Sequence, residues 1–263
     1  MAVEFKLLGT SAGLGIPSFY CDCPACREAY ENPPLARTRS GAVLTAGAER
    51  VLIDASPDLR TQLTRERITA VDCLFITHWH YDHFGGIGDL EYYVRLARRE
   101  PLKLYLPPTA VEEFYRGFPF LADVFAVESW AFGQSLSFPG AKLTVLPARH
   151  NIETAGVLVE AGKRLAYFTD TAGLPEETAR AVAGVDFLIC DATFHGENWF
   201  PDAHMEVAEA IELGRQVQAK QTVLAHLAFH YSVPVTAAQL EEKLRPYPGV
   251  TLAYDGQVFR LSG

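Results

Sequence analysis

Thr77-His78-Trp79-His80-Tyr81-Asp82-His83 is the stretch that decides how this chain is read. It follows directly on the apolar run Cys73-Leu74-Phe75-Ile76 and leads into the flexible Phe84-Gly85-Gly86. Four ligand-type side chains fall within six positions of a loop, where the backbone is free to aim them at a shared point. If the stretch is extended, His78 and His80 project to the same side, while Asp82 and His83 lie on the next turn as the chain enters a helix. Two adjacent metal positions can be served in this way. Imidazole together with carboxylate suits Zn, Mn or Fe, and a site with an open coordination position holds water as a nucleophile near neutral pH. A merely solvated His-rich loop would not explain why three of the chain's eight histidines gather directly after a buried strand.

Outward from this loop the chain alternates short apolar runs with helical patterns. VEFKLL comes first, then AVLTA and RVLIDA, which read as a hairpin across a Gly-Ala-Glu turn. CLFIT, LKLYL, KLTVLPA, AGVLVE, RLAYFTD, DFLICDA and QTVLAH follow as strands. TLAYD and QVFRLS are expected to close the chain as a hairpin around Asp255-Gly256. Helices are expected from Ser56-Pro57 into DLRTQLTRE, from Pro108-Thr109 into AVEEFYRGF, from Pro175 into EETARAVAG, and over EVAEAIELGRQ and TAAQLEEKLRP. No repeat, linker or low-complexity stretch divides the chain, so one α/β domain over residues 1–263, with two sheets flanked by helices, is the simplest reading.

Bulk properties narrow the partners. With 263 residues, 49% hydrophobic and 21% charged, the chain has the composition of a folded globular protein, not of a disordered or fibrous one. No window approaches a spanning helix and MAVEFKLLGT lacks a signal-peptide layout, so a cytoplasmic location is expected, away from membranes. A net charge of −9 argues against broad adhesion to nucleic acid and leaves a small anion as the expected partner.

Three of the five cysteines crowd into Cys21-Asp22-Cys23-Pro24-Ala25-Cys26, an N-terminal loop at about residues 20–27. Without a secretory signal, such crowding favours metal binding over disulfides. Three thiolates need a fourth ligand for a closed tetrahedral zinc, and His230 is the candidate; free thiols or a redox site are the alternatives. Cys73 and Cys190, inside apolar runs, read as small core residues.

His78-Trp79-His80-Tyr81-Asp82-His83 matches the HxHxDH signature, and on it the chain resembles the metallo-β-lactamase superfamily. That resemblance implies a four-layer αββα sandwich. It also implies one metal held by His78, His80 and His150, another by Asp82, His83 and His226, and Asp170 bridging the two. His150, Asp170 and His226 each fall where a strand pattern gives way to a loop. With CDCPAC and Asp170-Thr171-Ala172-Gly173-Leu174-Pro175-Glu176 added, the chain is similar to the phosphoribosyl 1,2-cyclic phosphate phosphodiesterases, a likeness that spans nearly its whole length. The activity so implied is hydrolysis of 5-phosphoribosyl 1,2-cyclic phosphate to ribose 1,5-bisphosphate. Two divalent cations, Mn or Zn, would serve the active site, with one structural zinc at the cysteines and a homodimeric assembly. His204, in PDAHMEV, stands where that family carries a general acid, and Asp82 would also orient the nucleophile. An exposed residue ahead of a helix is the plain alternative for His204. Whether Arg149 or His195 contacts substrate stays open. An RNA-processing nuclease of the same superfamily and a non-catalytic carrier of cofactor biosynthesis are the rival readings.

Overall fold

In the computed structural model, which describes residues 2–263, fourteen strands form two seven-stranded sheets. The first sheet comprises β1 (Val3–Gly9), β2 (Gly41–Ala46), β3 (Glu49–Ile53), β4 (Cys73–Phe75), β5 (Leu102–Leu106), β6 (Phe125–Ser129) and β14 (Val258–Ser262), in the order β14-β1-β2-β3-β4-β5-β6. The second comprises β7 (Ser135–Phe138), β8 (Ala141–Pro147), β9 (Ala155–Glu160), β10 (Arg164–Phe168), β11 (Phe187–Asp191), β12 (Gln221–Ala225) and β13 (Val250–Leu252), in the order β13-β12-β11-β10-β9-β8-β7. Seven α-helices accompany them: α1 (Pro24–Glu31), α2 (Leu59–Arg65), α3 (Tyr81–Phe84), α4 (Val111–Gly117), α5 (Glu176–Ala181), α6 (Val207–Gln216) and α7 (Ala237–Leu244).

Inner strands such as β4 and β11 read as apolar runs because both of their faces are covered. Successive residues alternate between seams. Leu44, Ile53 and Phe75 of the first sheet meet Val157, Tyr167, Ile189 and Val223 of the second in the seam between the sheets. Their neighbours Val43, Leu52 and Leu74 turn the other way, onto Leu59 and Phe114 of the helices. Leu158, Phe168, Leu188 and Leu224 likewise turn outward onto Leu213 and Leu240. Three apolar seams separate four layers, helices outside and sheets within, which is the αββα sandwich that the resemblance implied. Cys73 and Cys190 are buried in these seams, as their apolar surroundings suggested.

Both sheets are antiparallel on one side and parallel on the other; the parallel ladders are β3-β4-β5-β6 and β10-β11-β12-β13. Parallel neighbours need crossovers: α2, α4, α5, α6 and α7 supply five of the six, and α3 with the helical turns Ile87–Leu90 and Tyr93–Arg98 supplies the one from β4 to β5. The carboxyl ends of these strands therefore lie together, the usual place for a ligand in an open α/β sheet.

The expected closing hairpin is not formed. β13 joins the second sheet beside β12 and β14 joins the first beside β1, so the chain crosses between sheets at Asp255-Gly256. The buried Asp255 carboxylate accepts from the Thr38 N–H and hydroxyl at 2.8 and 2.6 Å and from the Thr10 hydroxyl at 2.8 Å, which fixes the crossing. The cysteine segment is also more regular than a loop: Cys26 lies on α1, which starts at Pro24. Among the described residues no helix is long and apolar enough to cross a membrane.

Candidate metal centre

Trp79 separates the two leading histidines by turning into the core, where it stacks on Phe84 with ring centroids 3.9 Å apart. His78 and His80 are thereby left facing the strand ends, and α3 begins at once, placing Asp82 and His83 on its first turn. His150 comes from beyond β8, Asp170 from beyond β10 and His226 from beyond β12. All seven residues expected as ligands converge in two groups.

In the first group, His80 Nδ1 lies 3.1 Å from His78 Nε2 and 3.2 Å from His150 Nε2, and Asp170 Oδ2 lies 3.7 Å from His78 Nε2. In the second, Asp82 Oδ2 lies 3.7 Å from His83 Nε2 and 3.6 Å from His226 Nε2. Asp170 reaches this group too, 3.0 Å from His83 Nε2 and 3.4 Å from His226 Nε2. Metal–donor bonds of about 2.0–2.2 Å in tetrahedral array put donors about 3.3–3.6 Å apart, close to these separations. The buried His83 Nε2, His226 Nε2 and Asp170 Oδ1 have no hydrogen-bond partner. His83 Nε2 and Asp170 Oδ1 come to 3.0 Å, yet neither has a hydrogen-bond partner. The donor set fits two divalent cations sharing Asp170.

The other nitrogen of most of these rings is held from behind. His83 Nδ1 faces Asp54 Oδ2 at 2.7 Å, and the Thr77 hydroxyl lies 3.0 Å from His78 Nδ1 and donates to Asp54. His150 Nδ1 donates to the Ala203 carbonyl at 2.7 Å, and His226 Nδ1 meets the Thr193 hydroxyl at 2.8 Å. Such partners fix which nitrogen faces a metal. Asp54 and His226 both have positive φ, 66° and 53°, backbone strain of the kind stored at functional sites. Asp54, Asp191 and Thr193 were not singled out from the sequence; an aspartate at the end of an apolar run, the same signal that marks Asp170, marks both aspartates.

Electrostatics divides the groups. Burial, aided by the neighbouring imidazoles, pushes His78 well below the ordinary histidine range and lowers His80 and His150, so all three offer neutral lone pairs. Burial also opposes charge on His83 and Asp170, but there it is outweighed. Asp170, Asp54 and Asp82 hold His83 well above its usual range, and His226, His83 and His78 hold Asp170 well below. Asp54→Asn should weaken cation binding by about 10–100-fold, since it removes the carboxylate behind His83. Competition against a chelator measures this, and unchanged affinity would show that Asp54 has no such role.

His204 is brought to the edge of the centre. Its ring lies parallel to that of His226 at 5.0 Å and 5.2 Å from that of His150, and its Nδ1 meets Asp191 Oδ2 at 2.7 Å. Burial opposes its charge, yet Asp191 outweighs burial and raises its pKa to about 9. Asp170, His204 and His226 also converge closely enough to share a cation. His195 is not at the centre: its Nδ1 donates to the Val233 carbonyl, its Nε2 accepts from Lys243, and it lines a cavity of about 410 Å³ against α6 and α7. Arg149 is exposed and lines a separate cleft with Gly173, Met205 and Glu209.

The cysteine cluster is assembled as well. Cys21, Cys23, Cys26 and His230 bring one ligand atom each within 4.8 Å of one another. Cys26 Sγ stands 3.6 Å from His230 Nδ1, matching the separation of about 3.6 Å expected for sulfur and nitrogen on one tetrahedral zinc.

The sequence model of the beta-lactamase superfamily domain matches residues 49–227. An octanoyltransferase of Porphyromonas gingivalis is 26% identical over 262 residues, 95% of this chain but only half of that protein's length. Coenzyme PQQ synthesis protein B of Methylobacterium radiotolerans is 30% identical over 220 residues, 71% of this chain and 72% of that protein. Among solved structures, a diphosphatase from the PhnP family superposes with a TM-score of 0.84 at 26% identity, covering 98% of this chain and 97% of the other. The matched stretch runs from the start of β3 past the end of β12 and so contains every loop that carries one of the seven converging residues, and the chain belongs to the beta-lactamase superfamily.

Proposed function

We propose that this chain is a dinuclear-metal phosphodiesterase acting on a small cyclic phosphate, with 5-phosphoribosyl 1,2-cyclic phosphate as the first substrate to test and ribose 1,5-bisphosphate as its product. The observation that carries this reading is the shared position of Asp170 between two donor groups, with Asp170 Oδ1, His83 Nε2 and His226 Nε2 buried and without partners. His78, His80 and His150 would hold one cation and Asp82, His83 and His226 the other, with Asp170 common to both. Mn or Zn in this pair would supply an activated water and neutralise charge on the phosphoryl oxygens. The likeness to the PhnP-family diphosphatase supports phosphorus chemistry.

The chain's own residues would do the rest. Asp82 orients the nucleophile from the second group. His204 protonates the departing sugar oxygen from Nε2 while Asp191 holds Nδ1. His204→Ala is expected to lower turnover of a poor-leaving-group ester by about 10²–10⁴-fold while leaving metal content intact. Full activity on such an ester would remove the acid role. The pH dependence has a definite sign. A histidine raised to about 9 is charged below that value, so turnover should fall as pH rises through it, and bound cations would shift this limb to lower pH. By the same sign, the His204–Asp191 pair stabilises the metal-free fold fully below the ordinary histidine pKa of about 6.5, and that stability is lost as pH rises through about 9.

The experiment is hydrolysis of 5-phosphoribosyl 1,2-cyclic phosphate, 2′,3′-cyclic nucleotides and bis-p-nitrophenyl phosphate by protein loaded with Mn or Zn. Preference for the ribosyl 1,2-cyclic phosphate by several orders of magnitude in kcat/KM would establish the substrate. Turnover of the generic ester alone would keep the chemistry and reject that substrate. Absence of hydrolysis with both cations bound would favour a non-catalytic role in cofactor biosynthesis, the reading to which the 30% identity with a coenzyme PQQ synthesis protein lends support.

A further inference from the structure

The turn after β1 reaches the second donor group from the far end of the sequence. The Gly15 N–H donates to the Ala12 carbonyl at 3.0 Å, so Gly13 sits at the tip of a tight turn. A side-chain carbon placed on Gly13 would stand 3.1 Å from Asp82 Oδ2, 3.4 Å from its Cγ and 3.7 Å from its Cβ. Oδ2 is the oxygen that faces His83 Nε2 and His226 Nε2. Any side chain on Gly13 would therefore press on the carboxylate of a proposed ligand.

The turn is not free to move away. Arg39 Nε donates to the Gly13 carbonyl at 2.7 Å, while its Nη1 reaches both oxygens of Asp58 at 3.1 Å and its backbone N–H donates to Asp58 Oδ2 at 2.9 Å. Asp58 is the residue that opens α2. A planar guanidinium held on both sides is a rigid brace, which a lysine would not reproduce.

We infer that Gly13 is a positioning residue for the second cation: its bare backbone, braced by Arg39 on Asp58, sets where the Asp82 carboxylate stands. This rests on the reading that Asp82, His83 and His226 hold a cation. Metal–oxygen bonds tolerate displacements of only about 0.2 Å, whereas a contact at 3.1 Å forces the carboxylate or the turn to give by a few tenths of an ångström. The three atoms nearest to a carbon placed on Gly13 all belong to Asp82 and none to the first donor group, so the effect should be confined to one of the two positions.

The test is titration of the metal-stripped full chain with Mn(II) and with Zn(II), resolving the affinity of each position, for wild type, Gly13→Ala, Arg39→Lys and Asp82→Ala. Gly13→Ala should weaken one position by about 10–100-fold and leave the other as in wild type. Arg39→Lys should weaken the same position. Gly88→Ala is the control, because a side chain there meets nothing within 4 Å, and it should bind as wild type. If Asp82→Ala loses one position while Gly13→Ala and Arg39→Lys bind both as wild type, the inference is overturned. If Asp82→Ala binds both as wild type, the assignment of the second donor group fails instead. Should Gly13→Ala not fold, Arg39→Lys, which adds nothing beside Asp82, decides by the same criterion.

Discussion

Asp170→Asn is expected to reduce kcat/KM on any phosphodiester by about 10³-fold or more and to take at least one cation per chain with it. Removing a single electrostatic group at a reacting centre costs about 10²–10³-fold, and Asp170 would serve two cations at once. Its side chain is buried, with one oxygen 3.0 Å from His83 Nε2 and the other 3.4 Å from His226 Nε2 and 3.7 Å from His78 Nε2. An amide is neutral and presents only one acceptor, so it can bridge neither charge nor geometry. The metal-free fold should feel the change as well. Against the opposition of burial, the three imidazoles hold Asp170 well below the usual carboxylate range, so its charge contributes stability above that range and loses it as pH falls through the lowered value. Asp170→Asn should flatten this acid limb of the metal-free stability curve. Metal analysis by mass spectrometry, with steady-state kinetics on the same samples, is the check. Two cations bound at wild-type affinity with an unaltered rate would end the bridging role.

Cys26→Ala should remove one zinc per chain and lower the melting temperature by roughly 6–12 °C, corresponding to a loss on the order of 3 kcal/mol in a chain of this size. Cys26 is fully buried on α1 and accepts the Ser18 N–H at 3.4 Å. Burial, with the adjacent Cys23 and Cys21, raises its thiol to about 12, a value at which only a bound cation would make the thiolate present at neutral pH. His230, its partner, lies in the same loop as His226, so release of the zinc should also loosen the second donor group and reduce activity. Atomic absorption with a thiol count discriminates among the readings. Wild-type protein lacking zinc, with all three thiols freely titratable, would leave them as free cysteines. A thiol count that rises only after reduction would mark a redox pair.

How far the sequence could be read depended on the range of the forces involved. His150, Asp170 and His226 were legible because each is a ligand-type side chain directly after an apolar run, a property of neighbouring residues. The Asp54–Thr77–His78 and Asp191–Thr193–His226 chains were not, because Asp54 lies 23 positions from Thr77 and Thr193 lies 33 positions from His226, and these pairs meet only when strands pack. TLAYD and QVFRLS were misjudged for a related reason. An Asp-Gly turn between two strand patterns is a hairpin signal, and the same local chemistry serves a crossing between sheets once Thr10 and Thr38 draw Asp255 inward. The edge strands β6 and β7 escaped notice because FAVES and SLSF are short and partly exposed, with little apolar pattern. A proline at the first helical position is a start signal, but the cysteine spacing around Pro24 suggested a loop and α1 was not expected there.

By itself the sequence determined the layering and the ligand types. Runs apolar at every position call for strands covered on both faces, and histidines and aspartates just beyond them are residue types that suit a cation at the strand ends. Only the tertiary structure decided which strands share a sheet, which imidazole nitrogen faces inward and how Gly13 and Arg39 come to stand behind Asp82. Periodicity and turn chemistry act over a few residues and are written in the order of the chain, whereas hydrogen-bond partners and close backbone contacts arise from packing between segments distant in that order.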